Sequence, residues 1–254
     1  MLIIGLAGGA GTGKDSIADY LVQRYGFVKF SFSDALYREV AEAFSLENED
    51  LLRDRATKEV VTQLLALERC KDFDFAECTS PVLRYPRYAQ HSPRQILQWW
   101  GTEYRRAQDP DYWLKKAEEW LEAVVMAAPY PELRPQLFVN TSVRFENERD
   151  WIKDPNGSIW HLRRAAATPV RAHASENELP VLDDEREIYN NHTLDYLHKG
   201  VDQLLSSSAQ YVRLEPPAPM VEPMVYDGFQ NIDPNSTGAK NMLNLLGYGS
   251  EGGN

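Results

Sequence analysis

The segment from Gly8 to Ser16, with the sequence GGAGTGKDS, combines residue types that suit the binding of phosphate. Five of its nine residues are Gly or Ala, so the backbone can turn tightly and direct several N–H groups toward one point. Lys14 would add a positive charge at that point, and a helix that begins there would add the positive end of its dipole. The segment therefore predicts a loop that binds a chain of phosphates.

The elements around this loop make the prediction more specific. The apolar run Leu2–Ala7 indicates a strand, and the apolar spacing over 14–25 indicates a helix. A strand, a glycine turn and a helix with the spacing G-x-x-x-x-G-K form the nucleotide-binding P-loop, whose lysine lies across the β- and γ-phosphates of ATP. The alternative is a glycine-rich turn without a ligand. The residues expected to bind ATP are Gly8, Gly9, Ala10, Gly11, Thr12, Gly13, Lys14, Asp15 and Ser16.

One position departs from the common P-loop. Asp15 stands where most P-loops carry a magnesium-binding Ser or Thr, and the hydroxyl follows one residue later, at Ser16. This shift occurs among small-molecule kinases, so it points away from GTPases and motor-type ATPases.

Composition limits the class of partner. The chain of 254 residues carries 27 Lys and Arg against 38 Asp and Glu, a net charge of −11, which argues against a nucleic acid polymer as the main partner. A mononucleotide is still compatible, because a few local arginines can hold one phosphate.

The cysteines and the hydropathy pattern indicate the compartment. Cys70 and Cys78 have no second Cys or His pair at metal-ligand spacing, although His91 could join them, so we expect free thiols rather than a zinc site. No apolar run approaches the ~18 residues of a membrane span, and Met1 leads directly into the first strand. We expect a cytoplasmic protein with no membrane partner.

Strand and helix patterns alternate along the chain and predict the α/β class. We expect five parallel strands with helices on both faces. The tryptophans at 100, 113 and 120 recur at spacings that favour core packing over base stacking. The predicted strands are Leu2–Ala7, Phe27–Phe32, Leu137–Asn140, Ser158–Leu162 and Glu187–Tyr189, with an edge strand at Tyr211–Leu214. The predicted helices are Lys14–Tyr25, one capped by Ser33 or Asp34, Lys58–Arg69, one capped by Ser92, one after Asp111, Glu146–Ile152 and one capped by Thr193.

Two segments fall outside this alternation. Residues 46–110 form an excursion in which 71–91 is polar and broken by proline, so we expect a substrate flap there. The aromatic stretch from Phe73 to Tyr88 suggests a surface for a homodimer. Residues 216–254 are rich in Pro, Asn, Ser and Gly and predict a tail.

Arginines are the residues to seek if the loop binds ATP, because phosphoryl transfer depends mostly on positioning and on neutralising charge. Arg144 is the best candidate, since it directly follows a predicted central strand and ligands of open α/β sheets gather at the carboxyl ends of strands.

Several short motifs follow one another in a characteristic order. They are GGAGTGKDS, Gly101-Thr102-Glu103 with Arg106, Asp111-Tyr112-Trp113, Val143-Arg144-Phe145 with Asn147-Glu148, Arg164, His173-Ala174-Ser175-Glu176 and Asn190. In this order, over residues 1–205, the chain resembles the deoxynucleoside monophosphate kinases of bacteriophages, within the adenylate-kinase-like P-loop kinases.

The resemblance implies a kinase that transfers the γ-phosphoryl of ATP, with Mg²⁺, to a deoxynucleoside monophosphate for DNA precursor synthesis. It implies a kinase domain over 1–215, with acceptor-binding helices within 46–110 and a lid over 165–178, in the host cytoplasm if a phage encodes it. The implied catalytic residues are Lys14, Arg144 and Arg164, and the implied substrate contacts are Asp34, Arg38, Arg94, Arg106, Arg144 and Glu176.

Ser142 departs from this family, whose members usually carry an Asp before the Val-Arg pair. Such a carboxylate would help to hold magnesium through water, so Asp15 and Ser16, with Asp34 nearby, become the candidates for that role.

Two other functions stay open at this point. One is a different small-molecule kinase, of the phosphomevalonate or dephospho-coenzyme A type; transfer to a hydroxyl would need a carboxylate base, for which Asp34 is available. The other is a protein that binds ATP without turnover, which Ser142 and the tail suggest.

Overall fold

Five parallel strands form the centre of the molecule. A computed structural model of the protein describes residues 1–83, 86–154, 156–165 and 179–207. The strands are β1 (Leu2–Ala7), β2 (Val28–Phe30), β3 (Leu137–Val143), β4 (Ser158–Arg163) and β5 (Arg186–Tyr189). Their order is β2-β3-β1-β4-β5 and every neighbouring pair is parallel, so all carboxyl ends meet at one edge.

Helices cover both faces of the sheet, which confirms the predicted α/β class. They are α1 (Lys14–Tyr25), α2 (Ser33–Phe44), α3 (Asp50–Arg53), α4 (Phe73–Leu83), α5 (Pro93–Gln98), α6 (Tyr112–Ala127), α7 (Glu146–Lys153) and α8 (Leu194–Ser207). Adjacent strand residues point to opposite faces. Phe138 accordingly packs in the core beneath α2 to α7, while Val139 packs in the core beneath α1 and α8.

Several helix ends follow the sequence signals. Gly26 ends α1 with a φ of 72°, a left-handed conformation that favours glycine. Ser92 and Gln95 form a capping box at the start of α5, with Pro93 in its first turn.

The excursion differs from its prediction in two places. The helix predicted over Lys58–Arg69 is wrong: that segment contains turns and two short 3₁₀ helices, Gln63–Leu65 and Leu67–Arg69. Its apolar pattern does not mark a buried stripe, because Val60 and Val61 are more than half exposed. The stretch predicted as a loop contains α4, which begins where the Asp72 carboxylate accepts a hydrogen bond from the Phe75 N–H at 2.9 Å.

A π-helix, Trp99–Arg106, continues directly from α5. Its wider turn is uncommon and is frequent at functional sites. Trp100 on this π-helix and Trp113 on α6 are buried, and Trp120 stacks on Phe30, so the three tryptophans pack in the core as predicted.

Several predicted features lie outside the described residues. They are the lid beyond Ala165 with His173 and Glu176, the edge strand Tyr211–Leu214, and the tail 216–254. In the part that the structure describes, no helix combines the length and apolar character needed to cross a membrane.

Candidate functional site

The loop between β1 and α1, which the sequence predicts to bind phosphates, turns through glycines with positive φ values. Gly8 and Gly13 have φ values of 134° and 105°, which side-chain-bearing residues rarely adopt. A Cβ atom at Gly8 would lie 2.4 Å from the Leu162 carbonyl oxygen, and one at Gly13 would lie 2.4 Å from the Asn190 Nδ2 atom. Glycine is therefore required at Gly8 by conformation and by space, and at Gly13 by conformation.

Lys14 is held over this loop. Its ammonium donates hydrogen bonds to the carbonyl oxygens of Gly8 at 2.6 Å and Gly9 at 2.8 Å. The loop is braced on its other side by Asn190, whose Nδ2 donates to the Thr12 carbonyl oxygen at 2.9 Å. The Lys14 side chain thus reaches back from the first turn of α1 and places its positive charge at the start of the loop.

Strand register brings the predicted catalytic residues to one edge of the sheet. Ala7 on β1 pairs with Val143 on β3, so the residues that follow, Gly8 and Arg144, leave the sheet side by side. Arg164 follows β4 on the other side of β1, and its Nη1 lies 3.4 Å from the Gly11 carbonyl oxygen. The P-loop therefore lies between Arg144 and Arg164.

An open cleft adjoins Arg144, at the edge of the sheet where the ligands of open α/β folds gather. Three of the predicted substrate-binding arginines, Arg94, Arg106 and Arg144, line it together with Lys58. The remaining lining residues are Phe32, Ser33, Leu36, Tyr37, Leu97, Gln98, Gly101, Thr102, Trp113, Ser142, Phe145 and Glu148. The cleft therefore combines a cationic end with an apolar and aromatic wall.

Polar groups on α5 and the adjoining π-helix face this cleft. Gln98 and Thr102 are half-buried and lie one turn apart. The Gln98 carboxamide makes no hydrogen bond with any other residue that the structure describes. Its oxygen and its amino group are thus available to a ligand.

Lys58 and Arg94 also bring cationic groups to the lining of this cleft. The Lys58 ammonium donates to the Tyr37 hydroxyl at 3.1 Å, and Arg94 forms an ion pair with Glu59.

Arg106 is largely buried and makes several contacts. It forms an ion pair with Glu148, its Nη1 donates to the Pro110 carbonyl oxygen at 3.1 Å, and its guanidinium lies 3.7 Å from the centre of the Phe145 ring. Burial raises the pKa of the Glu148 carboxyl above its usual range, while the charge of Arg106 and two backbone N–H donors oppose that rise.

Asp34 and Arg38 do not line the main cleft. They line a separate, smaller hollow beside Lys116 and Trp120. Asp34 also accepts the Ser31 N–H at 2.8 Å and pairs with Arg53 at 3.1 Å. The assignment of both residues as acceptor contacts stays a prediction, as does that of Glu176 outside the described residues.

Ser142 joins the ends of two strands. Its hydroxyl oxygen accepts hydrogen bonds from the Phe32 N–H at 2.9 Å and from the Ser31 hydroxyl at 2.8 Å. This residue therefore holds the segment after β2 beside β3, a role that does not require a carboxylate.

The described residues contain no group of three or more His, Cys, Asp or Glu side chains arranged to hold a metal. Asp15 is exposed and lies 3.2 Å from the Lys29 ammonium and 3.9 Å from Arg55. Burial lowers the pKa of Lys29, but the bonds and charges of Asp19 and Asp15 outweigh it and raise that pKa. Asp15 thus already has cationic partners, whereas Ser16, exposed on the first turn of α1, offers a hydroxyl.

Sequence reasoning did not assign Tyr37, Lys58 and Gln98 to the cleft, and it named Glu148 only as part of a motif, without a role. Gln98 lies one turn after Arg94 on a helix that the Ser-Pro cap identifies. The sequence could therefore have predicted that Gln98 and Arg94 share one face of this helix. Lys58 was assigned to a helix that does not form, and nothing in the sequence indicated that its side chain lines the cleft.

Comparison with known proteins finds a similar viral protein. No family model matches the chain. A protein of Acanthamoeba polyphaga mimivirus that bears the name "Putative deoxynucleotide monophosphate kinase" is 26% identical over 219 residues, which cover 83% of this chain and 99% of that protein. Among solved structures, an unliganded sugar kinase from Janibacter sp. HTCC2649 covers 81% of this chain and 94% of its own, at 15% identity and a TM-score of 0.39, a likeness too low to support an argument about function. The chain is thus similar, along nearly the whole length of that relative, to a viral protein named as a kinase.

Proposed function

We propose that this protein is an ATP-dependent kinase that transfers the γ-phosphoryl group to a deoxynucleoside 5′-monophosphate, giving the diphosphate and ADP. The observation that carries the proposal is the register of β1 and β3. Because Ala7 pairs with Val143, the first residue of the phosphate loop and Arg144 leave the sheet side by side, and Arg144 also lines the neighbouring cleft.

This arrangement supports a reaction between two substrates. The loop with Lys14 would hold the phosphates of ATP, and the cleft would hold the acceptor with its phosphate toward Arg144 and Arg94. An oxygen of the acceptor phosphate would form the new bond to the γ-phosphorus, while the bond from that phosphorus to the β-γ bridging oxygen breaks and ADP leaves. The attacking oxygen is already ionised at neutral pH, so the reaction needs no general base.

The cleft favours a nucleotide over a smaller metabolite. Its cationic end suits a phosphate, and the aromatic and aliphatic wall formed by Phe32, Leu36 and Trp113 suits a planar base. Gln98 and Thr102 would meet the polar edge of that base. The name of the mimivirus relative agrees with this class of acceptor.

Mg²⁺ is expected to accompany ATP, because magnesium in such sites is bound largely by substrate phosphates and water. Ser16 would be the protein's contribution, and the ion would neutralise charge on the phosphates. The residues fit this limited role better than a cage of carboxylates, since Asp15 and Asp34 are paired with cations.

The test is a panel of acceptors assayed for ADP release with ATP and Mg²⁺. The panel contains dAMP, dGMP, dCMP and dTMP, the four ribonucleotides, phosphomevalonate, dephospho-coenzyme A and gluconate. We expect ADP release that depends on a deoxynucleoside monophosphate. Activity on a non-nucleotide alone would favour the other kinase class, and ATP binding without any acceptor-dependent turnover would indicate a nucleotide-binding protein.

A further inference from the structure

Glu148 divides its two carboxylate oxygens between two elements of the cleft. Oε1 pairs with the Arg106 guanidinium on the π-helix. Oε2 accepts hydrogen bonds from the backbone N–H groups of Arg144 at 2.8 Å and Phe145 at 3.2 Å, in the turn between β3 and α7. Only 4% of the Glu148 side chain is exposed, so water competes little for these bonds.

Arg106 is fixed from several sides. Besides Glu148, it contacts the Pro110 carbonyl oxygen before α6 and the face of the Phe145 ring, and only 10% of its side chain is exposed. An arginine with its donors engaged in this way is poorly placed to release Glu148 and bind an acceptor phosphate.

The geometry points to Glu148 and Arg106 as positioning residues, which hold the backbone of Arg144 so that its guanidinium faces the acceptor phosphate. Arg106 then acts through Glu148 rather than by touching the acceptor. The same pair ties Arg144 to the π-helix that carries Gly101 and Thr102, so the wall of the cleft and Arg144 are held as one unit. This inference rests on the proposed kinase function for its effect on turnover.

Glutamine cannot replace Glu148 in this arrangement. A carboxamide has one acceptor oxygen, whereas Glu148 uses one oxygen for Arg106 and the other for the two N–H groups. In Glu148→Gln, either the amino group faces the Arg106 guanidinium or it faces the N–H donors of Arg144 and Phe145. One of the two connections is therefore lost with almost no change in shape.

The test is a double-mutant cycle of Glu148→Gln and Arg144→Ala, measured as kcat and KM for the deoxynucleotide that the acceptor panel identifies. We expect Glu148→Gln alone to lower kcat by about 100-fold with KM for ATP nearly unchanged, since a small misplacement of a reacting group has costs of that order. In the Arg144→Ala background the same change should lower kcat by less than about twofold, because residues that act as a unit are not additive.

A second readout does not depend on the substrate. Hydrogen exchange at the backbone amides of Arg144 and Phe145 should be at least about tenfold faster in Glu148→Gln than in the wild type. The matched control is Glu146→Gln, the same chemical change on the exposed first turn of α7, which should leave both kcat and exchange unchanged.

Additive losses of kcat in the cycle, or wild-type exchange rates at both amides, would overturn the inference. If the wild type phosphorylates no deoxynucleotide, the proposed function fails, and the exchange rates still decide whether Glu148 holds Arg144. Should Glu148→Gln not fold, Arg106→Lys replaces it in both measurements. A lysine can pair with Glu148 but cannot also hold Pro110, so the expected changes have the same direction and smaller size.

Discussion

Lys14 lies over the phosphate loop because the carbonyl oxygens of Gly8 and Gly9 accept hydrogen bonds from its ammonium. The backbone of the loop does not depend on that ammonium for its shape, since Asn190 and the glycine conformations also hold it. The role of Lys14 should therefore be separable from folding.

Lys14→Ala should lower kcat by about 100- to 1000-fold, the range seen when one preorganised charge-stabilising donor is removed. The melting temperature should change little. Steady-state kinetics and thermal unfolding check this, with Lys199→Ala as the control, because Lys199 is an exposed lysine on α8. An unchanged kcat in Lys14→Ala would show that the P-loop is not part of the active site.

Gln98 should decide how the base is read. Its carboxamide presents a hydrogen-bond donor beside an acceptor. Because the carboxamide can flip by 180°, it can pair with the adjacent donor and acceptor of adenine or cytosine in one orientation and with those of guanine or thymine in the other. A carboxylate at this position would present only acceptors. Guanine alone among the four bases offers two adjacent donors to such a group.

Gln98→Glu should therefore raise the ratio of kcat/KM for dGMP to that for dAMP by about tenfold or more, the order expected of one bidentate contact. Competition between the two nucleotides measures this ratio directly. Gln203→Glu, an exposed position on α8, should leave the ratio at its wild-type value. If the dGMP-to-dAMP ratio in Gln98→Glu equals that of the wild type, the base does not contact Gln98.

At the scale of elements, Asn190 connects the end of β5 to the P-loop. Its Nδ2 donates to the Thr12 carbonyl oxygen, and its backbone N–H donates to the Arg163 carbonyl oxygen at 2.8 Å. The P-loop is thus braced by the segment that leads into α8.

Asn190→Ala should raise KM for ATP by about five- to tenfold, since one hydrogen bond contributes about 1 kcal/mol to the preorganised loop. KM for the acceptor should stay close to the wild-type value, because Asn190 does not line the cleft. Initial rates with each substrate varied in turn distinguish the two constants. A rise in the acceptor KM alone would contradict this assignment.

Elements with strong periodicity were predictable from the sequence, and those determined by distant contacts were not. The five strands and the helix that Gly26 ends follow apolar spacing and glycine signals. Helix α4 was missed because its stability comes from a cap at Asp72 and from Phe75 packing against Trp100, with ring centres 4.5 Å apart. Strand order placed Arg144 beside the P-loop, whereas the pairing of Arg106 with Glu148 joins residues 42 apart and left no local signal.

For the whole molecule, the described residues form two hydrophobic cores, one on each face of the sheet. The core beneath α1 and α8 contains Leu197, Val201 and Leu205, and the core beneath α2 to α7 reaches from Ile3 to Leu179. All core residues that the structure describes precede residue 216, where the predicted tail begins.

Removal of residues 216–254 should therefore leave the melting temperature within about 2 °C of the full chain and kcat unchanged, because a shift of that size corresponds to at most about 1 kcal/mol in a domain of this length. Differential scanning calorimetry and the kinase assay check both values. Aggregation of the shortened chain, or a large fall in its melting temperature, would show that the tail packs against the domain.

The most direct test follows the phosphoryl group itself. ATP labelled in the γ-phosphate is incubated with the protein, Mg²⁺ and each deoxynucleoside monophosphate in turn, and the labelled products are separated. We expect the label to appear in the deoxynucleoside diphosphate, together with unlabelled ADP. Label that stays in ATP, or that appears only in inorganic phosphate, with every deoxynucleotide would contradict the proposed function.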